Sequence, residues 1–372
     1  MTCSFGINIH TTRCFNWVSL NESNEFVFIK NGNKWERFES YGGNNHDIPG
    51  VFKKKKLATA TENEARANAE NIIYSRLKGT FPGTNYKYVA HKCIIYCDNA
   101  VSTPTTYTYV VGRAGADGNP DMQFCSEEQT FTLYPTTYIP RIYQTSDQQG
   151  FHWIEYQVWA AAAIELNKKI EEDCAKEQII PVLVNTGDMT QNGTRINEWL
   201  DYYNGGKCLF THLEQMNVVG NNDLCNADHS ILGTGDDNGK INPYFFHVFY
   251  CYEQPDPEKF IFNNIYVPSI YYFGNTKYKF LMMNSEVAYG TCEQMYSSSP
   301  DTVVNIYTGY TISTSADFEQ TYVYDQPGTP TPIYETLYNW FNANNSNDIV
   351  WVVACHEMPF TVITHPNLKT IN

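Results

Sequence analysis

The sequence predicts an α+β chain in two parts, a β-sandwich over residues 1–138 and an α/β domain over residues 139–372. Three observations carry this. Short β-rich runs separated by turns fill the first part without a helical period. Beyond residue 140 the pattern changes to apolar strands alternating with helices. Between them, the proline-flanked stretch 135–140 has the composition of a short stiff linker.

In the first part, strands are predicted at 12–19, 25–30, 88–96, 107–112 and 129–133, each rich in β-branched and aromatic residues. One segment differs: 58–77 is rich in Ala, Glu and Asn at helical spacing and reads as a helix inserted at the sandwich edge. Cys93 and Cys97 are four apart in a strand-like run, so they share a face and are expected to pack in the core rather than ligate.

In the second part the order is a strand at 141–145, a long helix at 153–176 with an Ala-rich middle, and a continuous apolar strand at 179–185. Helices at 194–203 and 208–215 follow, then a strand at 217–220, a hairpin built from 266–273 and 279–284, and a buried strand at 349–355. Apolar strands alternating with helices imply a doubly wound sheet, whose ligands gather at the carboxyl ends of its strands. The 234–239 loop with Asp236, Asp237 and Asn238 lacks calcium-hand spacing and reads as a solvated turn. Asn192-Gly193-Thr194 also reads as a turn.

Composition limits the partners. A net charge of −15 with only 25 Lys+Arg repels a phosphate backbone, so general nucleic-acid binding is not expected, and the basic run 53–56 reads as a solvated loop. Eleven cysteines, scattered and odd in number, point to reduced thiols and a reducing compartment such as the cytoplasm, or a virion. The N-terminus has no signal-peptide pattern, and no window reaches the roughly 18 apolar residues of a membrane span. Twenty-eight tyrosines beside few charges give a hydrogen-bonding surface, compatible with protein assembly through the β-sandwich.

The chemistry is concentrated at strand ends. Val184-Asn185-Thr186-Gly187-Asp188 and Val218-Val219-Gly220-Asn221-Asn222-Asp223 each read as a buried strand ending in oxygen-bearing side chains. An Asp there can bridge two divalent ions, an Asn oxygen can ligate one, and the glycines allow close approach. Ser146-Asp147-Gln148-Gln149-Gly150 follows an earlier strand, and His356 closes a later one, with Pro359 just beyond. Carboxylate, carboxylate, amide and imidazole at four successive strand ends are hard to explain by packing alone.

These motifs resemble the calcineurin-like metallophosphoesterases, in their purple-acid-phosphatase-like branch with an N-terminal fibronectin-III-like domain. Asp147-Gln148-Gln149 matches the D-x-Q form of the first motif. Gly187-Asp188 with Gly193, continued by Glu198-Trp199, matches the second; Gly220-Asn221-Asn222-Asp223 matches the third; and His356 with Pro359 matches the fourth. Stretch 269–286 resembles the family's hairpin near the site, and 103–112 with 129–132 resembles the closing strands of its N-terminal domain.

The resemblance implies hydrolysis of a phosphate ester at two divalent metal ions, manganese, iron or zinc, through in-line attack by water activated between them. Asp147 and Gln149 would serve the first ion, Asp188 would bridge both, and Asn221 and His356 would serve the second. Asn222 stands where the family has a His that assists the leaving oxygen. An amide donates a hydrogen bond but transfers no proton near pH 7, so esters with poor leaving groups would react slowly. Asp223 would orient its neighbours. Met189-Thr190-Gln191 lacks the family's iron-ligating Tyr, so no purple colour is expected. The family's last motif, G-H-x-H, has no counterpart after His356, from which a C-terminally incomplete phosphoesterase domain is expected. The alternative is a catalytically degenerate module of this fold with a binding or structural role, for example in a phage virion.

Overall fold

The computed structural model describes residues 1–6, 8–19, 25–39, 51–54, 79–80, 87–150, 152–193, 195–218, 220–224, 261–262, 265–266, 270–283, 303–304, 311–312, 346 and 348–356. The expected helix at 58–77 and the 234–239 turn lie outside these residues.

Among the described residues the first half is β: β1 (Thr2–Phe5), β2 (Thr12–Ser19), β3 (Phe26–Asn31), β4 (Lys34–Glu39), β5 (Phe52–Lys54), β6 (Gly79–Thr80), β7 (Lys87–Cys97), β8 (Thr105–Ala114), β9 (Pro120–Cys125) and β10 (Gln129–Leu133). Among the described residues these form two antiparallel sheets, β1-β2-β7-β5 with β6 on β7, and β10-β8-β3-β4 with β9 on β8. Inward residues of both sheets make one core. Cys3, Phe15, Trp17, Phe52, Cys93 and Ile95 come from the first sheet, and Val27, Ile29, Tyr109, Phe131 and Leu133 from the second. Phe15 meets Tyr109 and Phe131 edge-on, at centroid distances of 4.8 and 5.7 Å. This is a β-sandwich, with side chains of alternate residues interdigitating between two faces. Cys93 and Cys97 point inward as buried thiols, as their spacing predicts.

The second half begins with β11 (Ile139–Thr145), α1 (Tyr156–Lys176), β12 (Ile179–Asn185), α2 (Ile196–Gly205), α3 (Lys207–Phe210), β13 (Gln215–Asn217) and α4 (Asn221–Leu224). Strands β11-β12-β13 pair in parallel, and β12, in the centre, is buried at every position. The remaining strands are the two-residue pairs β14 (Ile261–Phe262) with β15 (Ile265–Tyr266) and β18 (Val303–Val304) with β19 (Thr311–Ile312), and the sheet of β16 (Ile270–Gly274), β17 (Tyr278–Met283) and β20 (Val350–Ala354). The hairpin β16–β17 is as predicted, and β20 runs parallel to β17.

Two expectations need correction. Among the described residues the second half is not one doubly wound sheet, because β20 joins β17 instead of β11–β13. The two sheets pack face to face: Ile180, Val182 and Val184 share a core with Phe273, Phe280, Met282 and Ala354. Nor does a helix run through 208–215. It stops at Phe210, where Leu213 N donates to Leu209 O at 2.9 Å and closes the last turn, and Gln215 pairs with Leu183 of β12. Pairing to the buried strand overrides a local helical pattern. Helix α1 starts three residues later than its period predicts, since Glu155 accepts the His152 N–H at 3.1 Å and holds 152–155 as a turn.

Helix α1 docks through Trp159, which stacks on Tyr202 at 5.7 Å and donates its indole N–H to the Tyr202 carbonyl. No described helix is long and apolar enough to cross a membrane.

Candidate metal centre

Four strand ends converge. After β11 the chain turns at Asp147, and after β12 it turns at Gly187 and Asp188; both aspartates hold positive φ, 58° and 54°. Left-handed backbone at a non-glycine residue costs of the order of 1 kcal/mol and persists where the surroundings enforce it. Here backbone bonds lace the two turns together: Thr186 N to Thr145 O, Asp147 N to Gly187 O and Gln149 N to Asp188 O, at 2.9–3.1 Å.

Glycine is required where the ends touch. A Cβ on Gly220 would sit 2.2 Å from Asp188 Oδ1, and one on Gly187 would sit 2.7 Å from His356 Nδ1. Both distances are far inside van der Waals contact, so the motif glycines let the third and fourth strand ends close on the second.

One ligand atom each from Asp147, Asp188 and His356 lies within 4.8 Å of the others. His356 Nδ1 is 2.9 Å from the Thr186 carbonyl. A carbonyl only accepts, so this bond places the proton on Nδ1 and leaves Nε2, 3.4 Å from Asp188 Oδ1, as the nitrogen with a lone pair to offer a cation. Gln149 donates Nε2 to Asp188 Oδ2 at 3.2 Å, while its Oε1 is buried with no partner among the described residues. A buried acceptor left unpaired is costly, and a cation at this cluster would satisfy it. Two carboxylates, an imidazole nitrogen and an amide oxygen form a donor set suited to a divalent ion.

Asp188 is almost fully buried. Its Oδ1 accepts Asn222 N at 3.0 Å and its Oδ2 accepts Asn222 Nδ2 at 2.6 Å. Burial raises its pKa; the facing His356 and the Asn222 bonds act against that rise. The Asn222 carbonyl oxygen accepts from Gln191 Nε2 at 2.9 Å, so this side chain is engaged on both ends within the site. Asn221 opens α4, with its side chain outside the described part.

Asp223 is fully buried beneath the cluster. Oδ1 accepts the N–H groups of Met189 and Thr190 and the Thr190 hydroxyl, and Oδ2 accepts Gly220 N, all at 2.9–3.1 Å. Burial, then the Asp188 charge, pushes its pKa up to about 7. Its oxygens are used on backbone groups of the two loops that carry Asp188 and Asn222. The same loop is held by Glu198, which accepts Asn192 N at 2.8 Å, and by Trp199, which donates to Gly193 O at 2.9 Å. Asn192 is thereby buried in a turn, as the sequence predicts.

Asn185 was not singled out by the sequence motifs, yet it ties the first two turns together. Its Oδ1 accepts Gly187 N at 2.8 Å, and its Nδ2 lies 2.6 Å from Gln148 Oε1, 3.1 Å from Tyr202 OH and 3.3 Å from Thr145 Oγ1. The available signal is an Asn ending an otherwise apolar strand, since a buried amide there must find partners.

No protein-family model matches the sequence, and comparison with curated proteins found no match. Among solved structures, the chain is similar to the purple acid phosphatase PPD1 isolated from yellow lupin (Lupinus luteus) seeds, at 13% identity and a TM-score of 0.47. The alignment covers 75% of this chain and 43% of that protein, so it spans less than half of the lupin enzyme's length.

Proposed function

We propose that the chain hydrolyses a phosphate ester at a two-metal centre, with residues 1–138 as a sandwich domain beside a phosphoesterase domain of 139–372. The observation that supports it most is the convergence of Asp147, Asp188 and His356, with His356 Nε2 turned to the cluster and the buried Gln149 Oε1 beside it, without a partner among the described residues. Asp147 and Gln149 would hold one divalent ion, Asp188 would lie between the two, and Asn221 and His356 would hold the other. When bound, such ions lower the pKa of water and neutralise charge developing on the phosphoryl oxygens.

The chain's own residues supply the frame. Thr186 O fixes the imidazole, Asp223 fixes the 188–190 backbone, and Asn222 holds both Asp188 oxygens in place. Asn222 can donate a hydrogen bond to a leaving oxygen but cannot protonate it, so aryl phosphates should react well ahead of alkyl phosphates. Elemental analysis of the purified protein, with para-nitrophenyl phosphate turnover with and without added manganese, tests the reading. About two metals per chain and turnover that disappears in Asp188→Asn are expected. A metal-free protein without turnover in manganese would refute it.

A further inference from the structure

A cavity of about 850 Å³ lies away from the acidic cluster, where three segments meet: the turn after β1, the linker before β11 and the hairpin turn between β16 and β17. That volume is within the range of small-molecule sites, which favour seams between structural units.

Its walls are preformed. Asn8 forms a parallel bridge to Gly274, and Ile9 N donates to Gly274 O at 2.9 Å. His10, nearly fully buried, spans the seam: Nδ1 donates to Tyr134 O at 3.0 Å, and Nε2 accepts from Asn275 Nδ2 at 3.2 Å. Asn275 Oδ1 in turn accepts the N–H groups of Lys277 and Tyr278, which sets the hairpin turn. Burial lowers the His10 pKa, so this wall is neutral near pH 7.

The lining has a distinct chemistry. In a chain with net charge −15, the described residues around this cavity include Lys277 and Lys279 and no Asp or Glu. The Lys277 ammonium lies 5.3 Å from the Tyr278 ring centroid. Thr136 and Thr137 are exposed in the same lining, and Tyr138 is half-buried with its ring 6.2 Å from that of Tyr134. Cations without acids select an oxyanion, hydroxyls select a polyol, and a tyrosine face suits the apolar side of a sugar ring. We propose that this seam cavity binds an anionic sugar, a sugar phosphate or a sugar carboxylate, with its oxyanion on Lys277, its hydroxyls on Thr136 and Thr137, and its ring against Tyr138.

The test is calorimetric titration of the full-length Asp188→Asn protein, which leaves a phosphorylated probe intact, with glucose 6-phosphate, glucuronate, glucose and inorganic phosphate. Glucose 6-phosphate or glucuronate should bind one to one, at least about tenfold tighter than glucose or inorganic phosphate. Whichever binds identifies the oxyanion. Adding Lys277→Gln should weaken that binding about tenfold or more with the melting temperature unchanged, and Tyr138→Phe, which keeps the ring, should leave it within about threefold. The proposal is overturned if neither anionic sugar binds below roughly 10 mM, if inorganic phosphate binds as tightly as either, or if Lys277→Gln leaves the affinity unaltered.

Discussion

Asn185 and Gly220 carry the sharpest consequences at the scale of single residues. Removing the Asn185 side chain takes partners from Gly187 N, Gln148 Oε1 and the Tyr202 hydroxyl together. Asn185→Ala should therefore cost about 1–3 kcal/mol in urea unfolding and lower metal affinity about 10–100-fold, because both ligand turns lose their tether. Unchanged affinity in a metal titration would sink this assignment. Gly220→Ala acts differently: its Cβ would sit 2.2 Å from Asp188 Oδ1, so Asp188 must move. Metal affinity should fall at least tenfold or so while the far-UV circular dichroism stays that of the parent protein. Both residues show how far the motifs reach. Gly220 is legible as part of a pattern; Asn185 is legible as a polar strand end, but its role as a tie is not, because its partners Gln148 and Tyr202 come from other elements.

Individual elements are held by polar contacts as well as by core packing, and helix α1 shows it. Asp173 on its inner face is held by Lys169 at 2.6 Å and by the Tyr143 hydroxyl of β11 at 2.9 Å. These partners, Lys169 first, lower its pKa below the usual 3.8. A carboxylate with a depressed folded-state pKa stabilises the fold above its unfolded pKa, and that contribution is lost as pH falls through the folded value. Asp173→Asn should accordingly be less stable than the parent at pH 7, with the gap narrowing as pH falls below about 3.8. Urea midpoints of both proteins at pH 7 and pH 3 measure it; a gap as wide at pH 3 as at pH 7 would contradict the linkage. Elements were legible where local pattern and tertiary demand coincide: β12 and β10 have their predicted bounds because a continuous or alternating apolar run is also a buried one. They diverged at Gln215–Asn217, where partnering with β12 converts the end of a helix-like pattern into a strand.

Across the whole molecule, the sandwich and the α/β half are joined by a buried ion pair. Arg13 on β2 reaches Glu214, the residue before β13, at 2.5 Å, with both side chains fully buried. The guanidinium also donates to the carbonyls of Ile9, Thr12 and Thr132, and lies 4.7 Å over the Phe5 ring. Breaking such a pair from one side strands a buried charge. Arg13→Met alone should cost about 3–5 kcal/mol, and adding Glu214→Leu should recover much of the loss. Equal melting temperatures for the single and double variants would show that the pair is not the joint.

By itself the sequence determined the fold class, the order of most elements and the strand ends that meet at the candidate site, because apolar periodicity and glycine-flanked acids are local properties of the chain. Only the tertiary structure decided that β20 joins the hairpin sheet and not the parallel one, that His356 presents Nε2 through its bond to Thr186, and that Asn185, Arg13 and His10 act as ties. Each of these depends on a buried polar group finding a partner far away in sequence, up to 265 residues apart for His10 and Asn275. Such pairings arise from the desolvation cost that compact packing imposes, and no local pattern records them.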